Sequence, residues 1–320
     1  MRIVLIPRDD GRAEACARGR AVACAFVLVA LLTACGTKDP SVRAEQRDKP
    51  VVLTALAPLA EVARDIGGND VVVVDLTPLG VSPHAIELTA RERAEVDDSA
   101  LAIVVGGGFQ PDVEQAAHRR SGPTLDLLRE LHLSPRPDGA SEPVDPHVWL
   151  DPTIMGSIST AIGTAMARVV PSRASTFERR AHDAVEDDVR LDAQLMQGLR
   201  SCQQRTLVTQ HEAFGWFAAR YDLQQIALDG PLSDGAATPD PARADRVTAA
   251  LEDGDATTVF GEPLTPAGTL AVLARQHNVT TDVLDPYEGR AADDEGAPDT
   301  YRAVMLQNLE VLRERLGCDA

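Results

Sequence analysis

Positive charge is scarce in this chain. Lys and Arg number 31 against 49 Asp and Glu, for a formal net charge of −18. Phosphate backbones are gripped by basic faces, so nucleic acid is a poor candidate partner. An acidic surface weakly favours cationic cargo, but simple solvation is the commoner cause of such a charge. Bilayer-spanning length is also missing. Residues 21–35, AVACAFVLVALLTAC, form an uncharged apolar run of 15. A spanning helix needs about 20 such residues. A short apolar run behind Arg18, Gly19 and Arg20 fits an export signal instead.

That run ends in Leu32-Thr33-Ala34-Cys35, followed by Gly36. Small residues before a cysteine resemble the bacterial lipobox, in which the thiol is acylated and the signal is cut just before it. The expectation is a signal peptide over 1–34 and a lipid anchor on Cys35 at the outer face of the cell membrane. A plain secretory signal with a chance cysteine is the alternative. Cleavage removes five arginines and three acids, taking the charge from −18 to −20. Cysteine then becomes rare as well, since only Cys202 and Cys318 remain. Two cysteines in an oxidising compartment often pair, and two free thiols are the alternative.

What is present is a regular alternation. Residues 35–50 are polar and read as a tether. From residue 51 onward, strand-like runs such as VVLTA, VVVVDL and LAIVVGGG are separated by helical patterns. Continuous Val/Ile runs between helices argue for parallel α/β sheets. Between Ser172 and Gln197 there is neither proline nor glycine, and apolar residues recur at helical spacing. This predicts one long helix of roughly 40 Å at 1.5 Å per residue, connecting two lobes. A second alternating series follows, with RTLVTQ, QQIAL, TTVFGE and TDVLD as strands. The expected organisation is an N-terminal lobe over 51–170, a connecting helix over 171–200 and a C-terminal lobe over 201–320.

Of seven histidines, three stand where loops leave strands or are stiffened by proline. His84 follows PLGVSP, His211 follows RTLVTQ, and His147 lies between two Asp-Pro pairs in DPHVWLDP. Asp285 ends the strand TDVLD. Ligands of α/β sheets bind outside the carboxyl ends of strands, so two facing lobes would bring these residues to one cleft. Three imidazoles and a carboxylate suit zinc, which takes nitrogen and oxygen ligands tetrahedrally. Any one of them alone is more often a hydrogen-bonded core or surface residue. His211-Glu212 begins like the HExxH of zinc hydrolases, but position 215 is glycine, so no enzyme is expected.

PHAIELT, DPHVWLDP, TLVTQHEAFGWFAARY and VFGEP with VLDP together resemble the zinc/manganese solute-binding lipoproteins of ABC importers, the ZnuA/TroA-type family. The resemblance spans about residues 50–316. It implies two α/β lobes with mostly parallel sheets, joined by one long rigid helix, with metal in the interlobe cleft. It places the ligands on His84, His147, His211 and Asp285. Manganese members typically carry glutamate at the third position, so His211 favours zinc. Two departures stand out. The histidine-rich loop of many zinc members is reduced to His118 and His132, and the usual Pro-Ser after the first motif reads Thr89-Ala90.

His147 is thus expected to be pre-placed for metal, with Trp149 packed nearby or serving simply as core. Asp145 and Glu262 are candidates to orient imidazoles, although a plain structural hydrogen bond is the commoner role for such residues. The expected function is extracytoplasmic capture of Zn²⁺ by a monomer for a permease and its ATPase. A manganese or iron binder, and a zinc-binding adhesin or metal chaperone of the same fold, are the alternatives.

Overall fold

The structure, a computed structural model, describes residues 49–137, 144–233, 240–264, 268–289 and 300–319. The export signal, Cys35 and the tether as far as residue 48 lie outside the described residues. Two four-stranded sheets follow one another in the chain. The first comprises β1 (Val51–Thr54), β2 (Val72–Asp75), β3 (Leu101–Val104) and β4 (Thr124–Asp126), in the order β2-β1-β3-β4. The second comprises β5 (Thr206–Thr209), β6 (Gln224–Ala227), β7 (Thr258–Gly261) and β8 (Thr280–Val283), in the order β6-β5-β7-β8. All neighbouring strands are parallel.

The central strands read as unbroken apolar runs because both faces are covered. Alternate residues go to different cores. Val52, Leu101 and Ile103 join one large cluster that also holds Leu207 and Phe260 of the second sheet. Leu53, Ala102 and Val104 belong to a separate cluster, as do Val208 and Val259 in the other lobe. One face of each sheet therefore contributes to a shared core, and the opposite face packs under its own helices. The Thr89-Ala90 departure has a local outcome only. Thr89 caps the helix Ala90–Asp98, with its side chain accepting from the Glu92 amide and the Glu92 carboxylate accepting from the Thr89 amide. Such a cap is worth about 1 kcal/mol.

The long helix spans Ala174–Leu199, 26 residues. Near one end Arg180 Nη1 donates to the carbonyls of Ile66 and Gly67, at 2.9 and 3.1 Å, in the first lobe. Towards the other end Asp192 accepts from Arg220 at 2.9 and 2.7 Å and from the Tyr221 hydroxyl at 3.1 Å, in the second. A helix absent from the expectations, Pro152–Val169, runs antiparallel beside it. Its start is signalled by Asp151, whose carboxylate accepts from the Thr153 amide, and by Pro152 in the first turn.

Glycine lets these two helices meet. A Cβ on Gly163 would lie 2.6 Å from Ala181 Cβ and 3.4 Å from the Phe177 carbonyl. Neither neighbour is the end of a flexible side chain. Overpacking of this kind costs about 1–3 kcal/mol, against up to about 1 kcal/mol gained from alanine's helix propensity. Gly163→Ala should therefore lower the thermal unfolding midpoint by a few degrees. A midpoint at or above that of the unsubstituted protein would show that the helices part freely.

Cys202 and Cys318 are bonded to each other, with an S–S distance of 2.00 Å across a sequence separation of 116. The bond ties the end of the helix Tyr301–Arg315 to the start of the second lobe. Closing so long a loop is worth about 5 kcal/mol in the chain-entropy account, and often less in practice.

Candidate metal centre

Each sheet reverses its strand order between two central strands, β1 and β3 in one and β5 and β7 in the other. Such switch points open crevices at the carboxyl ends of the strands. His84 sits beyond β2 on a single 3₁₀ turn, Pro83–Ala85. The Gln110 amide holds that turn by donating to the carbonyls of Ala55 (2.7 Å) and Pro83 (3.3 Å). The Phe109 ring meets the imidazole edge-on at 4.6 Å.

His147 is fixed from within its own segment. Asp145 Oδ1 accepts from both the His147 backbone amide (3.1 Å) and its Nδ1 (2.9 Å). Trp149 is fully buried, 5.2 Å from the His147 ring, and donates its indole N–H to the Pro286 carbonyl of the second lobe at 2.8 Å.

His211 leaves β5 beside the exit of β7, so Glu262 reaches it directly. Glu262 accepts from His211 Nδ1 at 2.6 Å and from its backbone amide at 3.2 Å. The Thr209 hydroxyl and the Gln225 amide hold the His211 carbonyl, at 2.8 and 3.1 Å. A carboxylate on each Nδ1 places a ring proton there and turns Nε2 of His147 and His211 towards the centre, as the nitrogen that would meet a metal. His84 Nδ1 has no such acceptor among the described residues.

The carboxylate that meets these imidazoles is Glu288, and the expectation of Asp285 is corrected. Asp285 Oδ1 accepts from the Tyr287 amide at 2.7 Å, forming a turn with Pro286 at its first bend. Tyr287 has a φ of 53°, which swings the chain back and delivers Glu288 into the cleft. Asp285 lines the small cavity beside the centre, with Ser82 and Ser233, but is not in the converging set. Glu288 Oε1 lies 2.9 Å from His147 Nε2, 3.2 Å from His211 Nε2 and 3.4 Å from His84 Nε2. His147 Nε2 and His211 Nε2 are 3.3 Å apart, and the four donor atoms all lie within 4.8 Å of one another. Zinc bonds of 2.0–2.2 Å in a tetrahedron separate donors by roughly 3.3 Å.

The other histidines lie elsewhere. His118 pairs with Asp126 at 3.1 Å, His132 bonds the Glu130 carbonyl at 2.9 Å, and His182 is exposed beside Glu186. His277 ends the helix Gly268–His277.

Burial is the strongest influence on all four central groups, and it disfavours charge on each. At His211 the Glu262 and Glu288 carboxylates outweigh it and hold the imidazole pKa well above the usual histidine range. At His147 the hydrogen bonds that the Asp145 and Glu288 carboxylates accept outweigh it too, and the pKa is raised. His84 is answered by Glu288 without a carboxylate of its own, so burial prevails and its pKa is lowered. Glu288 is pulled well below the carboxylate range by His84 and His211, against the effect of burial. The centre is a buried, anionic oxygen ringed by imidazoles, an arrangement that a divalent cation would complete.

The family described as zinc-uptake complex component A, periplasmic (ZnuA) matches residues 52–315. The chain belongs to the ZnuA family. Among its relatives, the high-affinity zinc uptake system protein ZnuA of Bacillus subtilis is 24% identical over 310 residues, covering 92% of this chain and 96% of that protein. The zinc-binding lipoprotein AdcA of Streptococcus pneumoniae is 26% identical over 277 residues, covering 82% of this chain and 55% of AdcA. The chain thus spans about half the length of the AdcA relatives it matches. The crystal structure of the Zn(II)-bound ZnuA-like domain of that AdcA aligns with a TM-score of 0.69 at 26% identity, over 84% of this chain and 99% of the domain. The laminin-binding protein Lmb of Streptococcus agalactiae aligns with a TM-score of 0.73 at 20% identity, over 83% of this chain and 99% of Lmb. At that identity the likeness speaks for the fold. This ZnuA-family chain shares the two-lobed α/β architecture with its long helix.

Proposed function

We propose that this protein captures Zn²⁺ outside the membrane and delivers it to the permease of an ABC importer with its ATPase. His84, His147 and His211 would bind through Nε2, and Glu288 through Oε1. The observation that carries this reading is the convergence of three imidazole nitrogens on one buried carboxylate oxygen, with all four donor atoms within 4.8 Å of one another. Asp145 and Glu262 would orient two of those imidazoles. Four protein donors leave no coordination position for a reacting water, which favours a carrier over a hydrolase. Nitrogen-rich ligation favours zinc over manganese, whose preference runs to carboxylate, carbonyl and water oxygens. The zinc-uptake names of the family and its relatives support the same cargo, and the lipobox-like Cys35 supports an anchor at the outer face of the cell membrane.

The test is metal content and competition on the purified protein. One zinc ion per chain, retained against a large excess of manganese, is expected. Preference for manganese, or no tight zinc, would overturn the reading.

A further inference from the structure

Tyr287 is the residue that aims Glu288, and it does so from a conformation tyrosine rarely adopts. Its φ of 53° lies in the left-handed region. Outside glycine, asparagine and aspartate, that region persists only where the surroundings over-determine it. Here they do so from the other lobe. The Tyr287 hydroxyl donates to Glu61 Oε2 at 2.6 Å. Glu61 lies on the helix Ala57–Gly67 of the first lobe. The same Oε2 accepts from the Tyr301 backbone amide at 2.8 Å. One oxygen of Glu61 therefore holds the chain on both sides of residues 288–300. The Trp149 indole, also of the first lobe, fixes the carbonyl of Pro286 just before the turn.

These contacts bear on how Glu288 meets a metal. All three imidazoles approach the same oxygen, Oε1. Binding through one oxygen gives the four-coordinate shell that zinc takes. If the turn were loosened, Glu288 could rotate and offer both oxygens, a shell suited to larger cations that prefer oxygen and higher coordination. We propose that Glu61 is the positioning residue for Glu288 and, through it, a determinant of selectivity for zinc over manganese. The proposal rests on the zinc-capture reading above.

The experiment measures zinc and manganese affinities of the full chain with Glu61→Ala, Glu61→Gln and Tyr287→Phe, each alone and combined with Glu288→Gln. Removing a residue that orients a metal ligand typically costs 10–100-fold in affinity. Glu61→Ala should lower zinc affinity about 10-fold and narrow the zinc-to-manganese ratio. Glu61→Gln keeps an acceptor oxygen and should recover most of both. Tyr287→Phe removes one oxygen atom and should fall between them, which carries the test if Glu61→Ala does not fold. Cobalt(II) loaded into Tyr287→Phe should lose part of the intense visible absorption of a tetrahedral ion. Because Glu61 acts through Glu288, its replacement should change nothing further once Glu288 is glutamine. Unchanged affinities and ratio in Glu61→Ala and Tyr287→Phe would overturn the proposal, as would an equal loss in the Glu288→Gln background. Failure of the unsubstituted protein to bind zinc would instead overturn the reading beneath it.

Discussion

Glu288→Gln should cost zinc affinity on the order of 100-fold or more, while Asp285→Asn should leave it within about 3-fold. The two carboxylates stand three positions apart and do different work. Structural zinc sites gain about 10–16 kcal/mol from four ligands, so one ligand accounts for several kcal/mol. A carboxamide is a far weaker donor than a carboxylate, and Glu288 Oε1 is the atom on which three imidazoles converge. Asp285 instead accepts the Tyr287 amide, a task an asparagine oxygen performs equally well. Competition against a chelator of known affinity measures both. The reverse ranking would return the ligand role to Asp285.

Asp188→Asn should stabilise the protein at pH 8 and leave its stability nearly unchanged at pH 4. Asp188 lies on the long helix, 8% exposed, and no hydrogen bond reaches its carboxylate among the described residues. Burial, then the neighbouring charges of Asp187 and Glu61, push its pKa from 3.8 up to about 7. Between those values the native state holds a proton that the unfolded chain has released. The unfolded state then binds fewer protons than the native one, so this group's contribution to stability falls as pH rises through that window. At 1.36 kcal/mol per pKa unit the full effect is at most about 4 kcal/mol. Urea denaturation of both proteins at pH 4 and pH 8 provides the check. A gap of the same size at both pH values would show that ionisation of Asp188 is not its cause.

Most of this architecture was legible in the sequence because the causes are local. Apolar runs buried on both faces mark β1, β3, β5 and β7, and an uninterrupted helical pattern marks Ala174–Leu199. The three histidines follow from strand ends and proline framing. Asp145 reaches His147 from two residues away, so its contact is nearly dictated by the chain. Glu262 reaches His211 because β5 and β7 are neighbours, which the parallel pattern suggests without fixing.

Two Asp-Pro pairs each carry two meanings. Asp151-Pro152 opens a helix as well as stiffening the chain around His147. Asp285-Pro286 likewise begins a turn, the usual work of that dipeptide, and the turn carries the chain on to Glu288 as the carboxylate that faces the imidazoles. Glu61 left no trace at all. It lies 226 residues from Tyr287, and nothing in its helical surroundings distinguishes it from a solvated acid.

His84 and His147 come from the first lobe, and His211 and Glu288 from the second. A cation held by all four is therefore also a rivet between two plates. Its grip depends on their alignment, since a small parting strips away half of its donors at once. Such a carrier can hold its cargo tightly in transit and still surrender it without a stronger chelator at the destination. A docking partner that pries the plates apart would turn mechanical work directly into release.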